Sequence, residues 1–274
     1  MQPQQSDDQT PLMACRELSV SIGGTRVVER LDLDLHAGQS IGVLGPNGVG
    51  KTTLLLTLAG VRKPESGDVR LQGLEMATLP RRRIARSLGM LTQNNRFAFE
   101  ASCLEVALSG RHPHLDAWTG ETPHDLELAR DALRRVGLAD KAERPCTQLS
   151  GGEQRRLSMA VVLAQDPAVL MLDEPTNHLD PAHQVDILNR LWTRVHQPGR
   201  AQIIALHDIN LATCYCSHVL MLFGGGRWEL GTAARMLTEA RLSELFHCPI
   251  RAVRDRRQTV FAIAGAPREP GRPR

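Results

Sequence analysis

One nine-residue stretch limits what this chain can fold into: Gly45-Pro46-Asn47-Gly48-Val49-Gly50-Lys51-Thr52-Thr53. It satisfies G-x-x-x-x-G-K-[ST], the pattern of a loop that cradles phosphates. Its surroundings agree. Ser40-Ile41-Gly42-Val43-Leu44 is short and mostly apolar, as a buried strand is, and Thr52 to Ala59 reads as a helix. Glycines let main-chain N–H groups close around an anion, and a helix start adds unpaired N–H groups with partial positive charge. Lys51 is placed to reach the outer phosphates and Thr52 to offer a hydroxyl to a divalent cation.

A second stretch complements the first. Val169-Leu170-Met171-Leu172 is an apolar run that ends in Asp173-Glu174. In an open α/β sheet, ligands bind beyond the carboxyl ends of the strands. Consecutive strand residues point to opposite faces, so the two acids are expected to do different work. Asp173 suits Mg²⁺, and Glu174 suits the water that attacks a terminal phosphate. A third stretch, Leu149-Ser150-Gly151-Gly152-Glu153-Gln154, opens an apolar-striped helix with Ser150 as its expected N-cap. It reads as a second anion site. Two chains paired head to tail, each lending this site to the other's nucleotide, would use both.

Between these motifs the texture alternates. Leu12 to His36 shows short apolar runs broken at Gly23-Gly24, which suggests antiparallel strands. From Asn94 to Asp166 strand signals vanish and three- and four-residue apolar spacing takes over, as in Ser102 to Ser109 and Asp125 to Val136. A helical insert in an α/β core is expected. Strands and helices then alternate again up to a helix over Thr238 to Phe246. The expected units are a disordered tail over 1–10, a folded domain over 11–250 with its helical part near 94–166, and a basic tail with Pro and Arg over 251–274.

Charge and cysteines narrow the function. Thirty-three basic residues against thirty acidic give a net charge of +3, too balanced for a nucleic-acid binder. The six cysteines form no Cys-x-x-Cys pair, so no zinc or redox motif is indicated. Leu12-Met13-Ala14-Cys15 looks like a lipoprotein cleavage box, but the polar residues before it, including Asp7 and Asp8, do not make a signal. No apolar run approaches the roughly 18–20 residues that span a bilayer, so work at a membrane would need an embedded partner.

Taken together, the motifs and their order from Gly45 to His207 resemble the ATP-binding cassette ATPases, over nearly all of residues 12 to 250. The resemblance implies an α/β fold: a RecA-like P-loop core with an N-terminal antiparallel β-subdomain and an inserted α-helical subdomain, working as a nucleotide-sandwich homodimer on ATP and Mg²⁺. It places Gln93 at the loop that contacts Mg²⁺ and the attacking water, and His207 at the switch histidine on the γ-phosphate. Asp180, in Asn177-His178-Leu179-Asp180, falls in the loop that crosses the dimer. Ser150, Gly151 and Gly152 become the signature that meets the partner's nucleotide. The catalytic set it implies is therefore Glu174, His207 and Gln93, with Thr52, Gln93 and Asp173 on the metal.

One position departs from that pattern. Where the family places an aromatic residue to stack on adenine, this chain has Ile22, so weaker or less base-selective nucleotide binding is expected. Length, the segment Gly110-Arg111-His112-Pro113-His114-Leu115 and Thr238 to Pro249 resemble the ATPase subunits of importers for ferric siderophores, heme and cobalamin. His112 and His114 have no apparent third ligand and read better as part of a surface for a permease's coupling helix than as a metal site. The implied partners are a polytopic permease and, indirectly, a periplasmic or extracellular substrate-binding protein, with the ATPase peripheral on the cytoplasmic face of the inner membrane. Two alternatives are a soluble cassette ATPase acting on DNA or ribosomes and a nucleotide-binding regulator without turnover. The first usually carries coiled coils, zinc modules or two cassettes, none of which is visible, and Glu174 with His207 speaks against the second.

Overall fold

Strand parity and strand register place the functional residues. The structure, a computed structural model, describes residues 10–93, 97, 99–116, 120–177, 180–254 and 259–264. Residues 1–9 and 265–274 of the expected tails, and His178 and Leu179 in the loop expected to cross a dimer, lie outside the described residues.

The chain begins with β1 (Met13–Ile22) and β2 (Thr25–Leu35), an antiparallel pair joined at Gly23-Gly24, both with positive φ. Cys15, in the apparent cleavage box, is a buried residue of β1. Next come β3 (Ser40–Leu44) and α1 (Lys51–Leu58). The strands β4 (Ser66–Leu71) and β5 (Leu74–Glu75) complete a four-stranded antiparallel sheet in the order β2-β1-β4-β5.

The second sheet is the core. After α2 (Arg81–Ser87), β6 (Leu88–Leu91) enters it. The helical insert follows as α3 (Cys103–Leu108), α4 (Pro123–Arg135) and α5 (Gly151–Gln165). The chain returns as β7 (Val169–Asp173), α6 (Pro181–Val195), β8 (Ala201–Ala205), α7 (Ile209–Tyr215), β9 (His218–Gly224) and β10 (Arg227–Thr232). The strand order is β10-β9-β3-β8-β7-β6, parallel except for β10 at the edge. Every residue of β3, β7 and β8 is buried, as expected for parallel strands covered on both faces.

Alternation divides the apolar residues between two cores. On β7, Leu170 and Leu172 join the core shared with the helical insert, while Val169 and Met171 join the one shared with α1 and the antiparallel sheet. Asp173 therefore has the parity of the α1 side. Register then aligns the strand ends: Val43 of β3 and Asp173 of β7 both lie level with Ala205 of β8. The loops after these three strands open at one edge, and they carry Gly45 to Gly50, Glu174 and His207.

Each insert helix begins with the same device. Ser102 with Glu105, Thr122 with Asp125, and Ser150 with Glu153 form reciprocal capping boxes at the starts of α3, α4 and α5. Two further features differ from the sequence reading. The helix α7 was not expected; Asp208 caps it by accepting hydrogen bonds from the Asn210 and Leu211 amides. The fold also continues past 250, through α8 (Ala233–Met236) and α9 (Glu239–Phe246) into an antiparallel hairpin of β11 (Ile250–Arg254) and β12 (Thr259–Ile263). Ile250 and Phe261 of this hairpin are buried in the main core, so residues 251–254 and 259–263 are folded structure, not tail. Of the neighbouring Cys214 and Cys216, only Cys216 is buried.

Candidate nucleotide site

The phosphate loop is shaped by what its glycines avoid. A Cβ on Gly45 would stand 2.7 Å from the Leu222 carbonyl oxygen, and one on Gly50 would stand 2.5 Å from a methyl of Val27. Gly50 also has φ 106°, a conformation glycine adopts without strain. It is the N-cap of α1, yet it supplies no side-chain cap, and the first turn carries no acid. The N–H groups at this helix start have no side-chain competitor for an anion. Lys51 is buried and donates to the carbonyls of Gly45 (2.9 Å) and Pro46 (3.3 Å), so its ammonium lies against the inner wall of the loop. Burial pulls its pKa down, and the neighbouring carboxylates of Glu174 and Asp173 pull the other way.

Asp173 lies beneath the loop, fully buried, and neither carboxyl oxygen has a hydrogen-bond partner among the described residues. Burial pushes its pKa above the usual carboxylate range. The nearby Thr52 hydroxyl lowers it, Glu174 adds to the rise, and Arg155 and Lys51 offset part of it. An unpaired carboxylate at this depth is costly unless a cation meets it.

Glu174 is the opposite case. It is 7% exposed and densely partnered. Its Oε2 accepts from Gln93 Nε2 (2.9 Å) and Asn177 Nδ2 (2.5 Å), and its Oε1 pairs with Nε2 of His207. Its backbone is left-handed, φ 49°, so the chain turns sharply as β7 ends. Non-glycine residues hold this conformation at some energetic cost, and such residues cluster at functional sites. The turn separates Glu174 from Asp173 and sets it above the cleft floor.

Ile22, Asn47, Gly48, Gly50, Lys51, Thr52, Thr53, Gln93, Glu174, Asn177 and His207 line one cleft of about 510 Å³. The structure thus joins the phosphate loop with Gln93, Glu174 and His207, which are far apart in the chain. Asp173 lies just below, and Gly45, Pro46 and Val49 form the loop's back. Ile22, 44% exposed, is the residue from the antiparallel sheet in this lining.

Ser150, Gly151, Gly152 and Asp180 do not line this cleft. Ser150 caps α5, its hydroxyl accepting from the Glu153 amide (3.4 Å) while Glu153 accepts from the Ser150 amide (2.8 Å). The Lys141 ammonium against Glu153, with the Ser150 amide, holds that carboxyl at about 2. Asp180 caps α6 and accepts from the His183 amide (3.1 Å) and ring (2.5 Å). In the segment read as a permease-facing surface, Pro113 accepts from Arg82 (3.0 Å) and Arg86 (2.7 Å), and His114 bonds the Gln165 carbonyl (2.9 Å). Arg82 and Arg86 of α2 thus fasten that segment to the core.

Two residues of the site were missed in the sequence. Asn177 was read only as part of a loop motif, although it stands three residues after Glu174. Arg155 follows Gln154 in what looks like a solvated helical start, yet it is buried and bonded to carbonyls beneath the site.

The sequence matches the ABC transporter family over residues 28–177. The chain belongs to the ABC transporter family. Among the relatives of this ABC transporter ATPase are two hemin import ATP-binding proteins. The one from Pseudomonas entomophila is 39% identical over 84% of this chain and 90% of its own. The one from Bordetella pertussis is 36% identical over 85% of this chain and 91% of its own. An achromobactin transport ATP-binding protein from Dickeya dadantii is 34% identical over 88% and 89%. Among solved structures, a chain of an inward-facing ABC transporter of the metal-chelate type superposes with a TM-score of 0.79 at 27% identity, covering 92% of this chain and 97% of its own. The ADP conformation of another ATP-binding cassette, 20% identical, shares the fold with a TM-score of 0.72, over 85% of this chain and 97% of its own. The ABC ATPase binds ATP and couples its hydrolysis to transport.

Proposed function

We propose that this chain is the ATP-hydrolysing subunit of a metal-chelate importer, with heme or a ferric siderophore as cargo. The observation that carries the hydrolytic part is the cluster of Gln93, Asn177 and His207 around Glu174, directly above Lys51 and an unpartnered Asp173. The cargo class rests on the hemin and achromobactin relatives and on the metal-chelate transporter structure. Two copies work as a homodimer, peripheral on the cytoplasmic face of the inner membrane. Their partners are a polytopic permease and, through it, a substrate-binding protein.

In this reading the loop N–H groups from Gly45 to Thr53 and the Lys51 ammonium grip the β- and γ-phosphates. Thr52, Asp173 and Gln93 fit Mg²⁺: a hydroxyl, a carbonyl and a buried carboxylate with free lone pairs are the hard oxygen donors this ion takes. When bound, the ion neutralises charge on the phosphate oxygens. Water attacks the γ-phosphorus in line, a new P–O bond forms, and the bond to the bridging oxygen breaks to release ADP. Glu174 takes the proton that the water loses. Gln93 and Asn177 aim the carboxylate, and His207 moves from Glu174 towards the γ-phosphate. Ser150, Gly151 and Gly152, with Asp180, act on the partner copy's nucleotide.

The base is held differently. With Ile22 at the cleft wall, adenine gains no ring-on-ring stacking, a contact worth about 1–3 kcal/mol per base. ATP and GTP are therefore expected to bind within about fivefold of one another, and Ile22→Tyr to tighten ATP by about fivefold or more. Titration with a fluorescent nucleotide, competed by ATP and by GTP, checks both. Strong rejection of GTP by the unaltered protein would refute this account of the base.

The importer reading is tested by isolating the tagged chain from its native membranes. Recovery with a polytopic permease, and ATPase activity stimulated by a hemin- or siderophore-loaded binding protein, are the expected results. Recovery on ribosomes or nucleic acid without a permease would overturn it.

A further inference from the structure

Arg155 is 8% exposed, and no carboxylate pairs with it among the described residues. Its guanidinium is spent on main-chain carbonyls from two segments. Nη1 donates to Thr92, at short range, and to Gln93 (3.3 Å); Nη2 donates to Asp173 (2.7 Å) and Glu174 (2.8 Å); Nε reaches Pro175 (3.4 Å). Burial lowers its pKa, and the charges of Asp173 and Glu174 partly restore it.

The two segments leave neighbouring parallel strands. Leu91 of β6 pairs in register with Leu172 of β7, so Thr92-Gln93 and Asp173-Glu174-Pro175 emerge side by side. Arg155 bridges them from below, with Nη1 on the first segment and Nη2 and Nε on the second. It stands on α5, five residues after Ser150, about 7.5 Å along the helix axis at the usual rise. A guanidinium is planar, and its donors are fixed relative to one another, so a shift of one nitrogen shifts the other.

The geometry points to Arg155 as a positioning residue that ties the start of α5, with Ser150, Gly151 and Gly152, to the backbones of Gln93 and Glu174 at once. A displacement of the signature turn is passed as one movement to Gln93, which aims the carboxylate, and to Glu174, which carries that carboxylate. Arg155 does not line the cleft and acts through these two. The inference rests on the hydrolytic roles proposed for Gln93 and Glu174.

The test uses the full-length chain with Arg155→Met and Arg155→Lys. Arg155→Met is expected to lower kcat for ATP by about a hundredfold, the scale of a misplacement of about 1 Å. KM and the nucleotide dissociation constant should stay within about threefold, because Arg155 does not line the cleft. Amide hydrogen exchange should quicken around Gln93 and Glu174 and stay unchanged in α1 and the antiparallel sheet. A lysine ammonium cannot hold both segments in the arginine's geometry, so Arg155→Lys is expected to lie between, about tenfold below the unaltered protein. Wild-type kcat in a folded Arg155→Met protein would overturn the proposal. So would a loss of kcat accompanied by faster exchange throughout the helical insert and a raised KM. If Arg155→Met does not fold, Arg155→Lys decides: lowered kcat with unchanged KM supports the role, and unchanged kcat refutes it. Failure of the Glu174 assignment is seen separately, as normal turnover in Glu174→Gln with Arg155 intact.

Discussion

Glu174→Gln binds ATP normally but turns it over about 10²- to 10⁴-fold more slowly, the range associated with loss of a positioned general base. The amide is nearly the same shape as the carboxylate, so the cleft and the phosphate loop keep their form. What disappears is the proton acceptor. An amide oxygen can still accept from Gln93 or Asn177, both of which meet Oε2. It offers His207 Nε2 a neutral amide in place of the carboxylate oxygen Oε1, so His207 is held less tightly and is freer to swing to the γ-phosphate. ATP-bound dimers should therefore accumulate. Phosphate release gives the rate, nucleotide titration the affinity, and size-exclusion chromatography with ATP the assembly state. Undiminished phosphate release from the variant would remove Glu174 from its role.

Lys51→Ala produces a defect of the other kind, in binding. Hydrogen bonds to charged groups contribute about 1.5–3 kcal/mol each, so ATP affinity should fall about ten- to a hundredfold. The loss is larger than for a surface lysine because Lys51 is buried and already oriented by the carbonyls of Gly45 and Pro46. Its removal also takes a positive charge from beside Asp173, whose carboxyl is already pushed up by burial. Protonation of Asp173 would become easier, and its affinity for a divalent cation would drop with it. Titration of ATP in the presence and absence of Mg²⁺ separates the two effects: the loss should be greater with the metal. ATP affinity unchanged in Lys51→Ala would contradict the proposed grip on the phosphates.

The parts of this site that were legible in the sequence are those whose chemistry is carried by adjacent residues. The phosphate loop is one contiguous motif, and the acids Asp173 and Glu174 end an apolar strand, so spacing and parity suffice for both. Gln93 and His207 became visible through family resemblance, since a lone glutamine or histidine at a strand end says little by itself. Arg155 stayed hidden because its partners are main-chain carbonyls, which every residue has and no pattern marks. Asn177 stayed hidden because its role depends on the left-handed turn at Glu174, which brings a side chain three residues on back to the carboxylate. In the fold, α7 is seven residues long, too short for apolar periodicity to stand out. The hairpin of β11 and β12 was lost to composition: arginines at 251 and 254 suggested a solvated tail, while Ile250 and Phe261 do the packing.

The contact of Gly50 with Val27 reaches beyond the shape of one loop. Val27 belongs to the antiparallel sheet, and that sheet is also fastened to the parallel one by the Glu29 amide on Gly226 (3.0 Å) and the Trp228 indole on the Glu29 carbonyl (2.9 Å). Sliding the two sheets apart would pry open the start of α1. The wall of the triphosphate cleft is thus built in one piece with the neighbouring sheet, and a substitution that loosens Val27 or Trp228 would reach the phosphates without touching them.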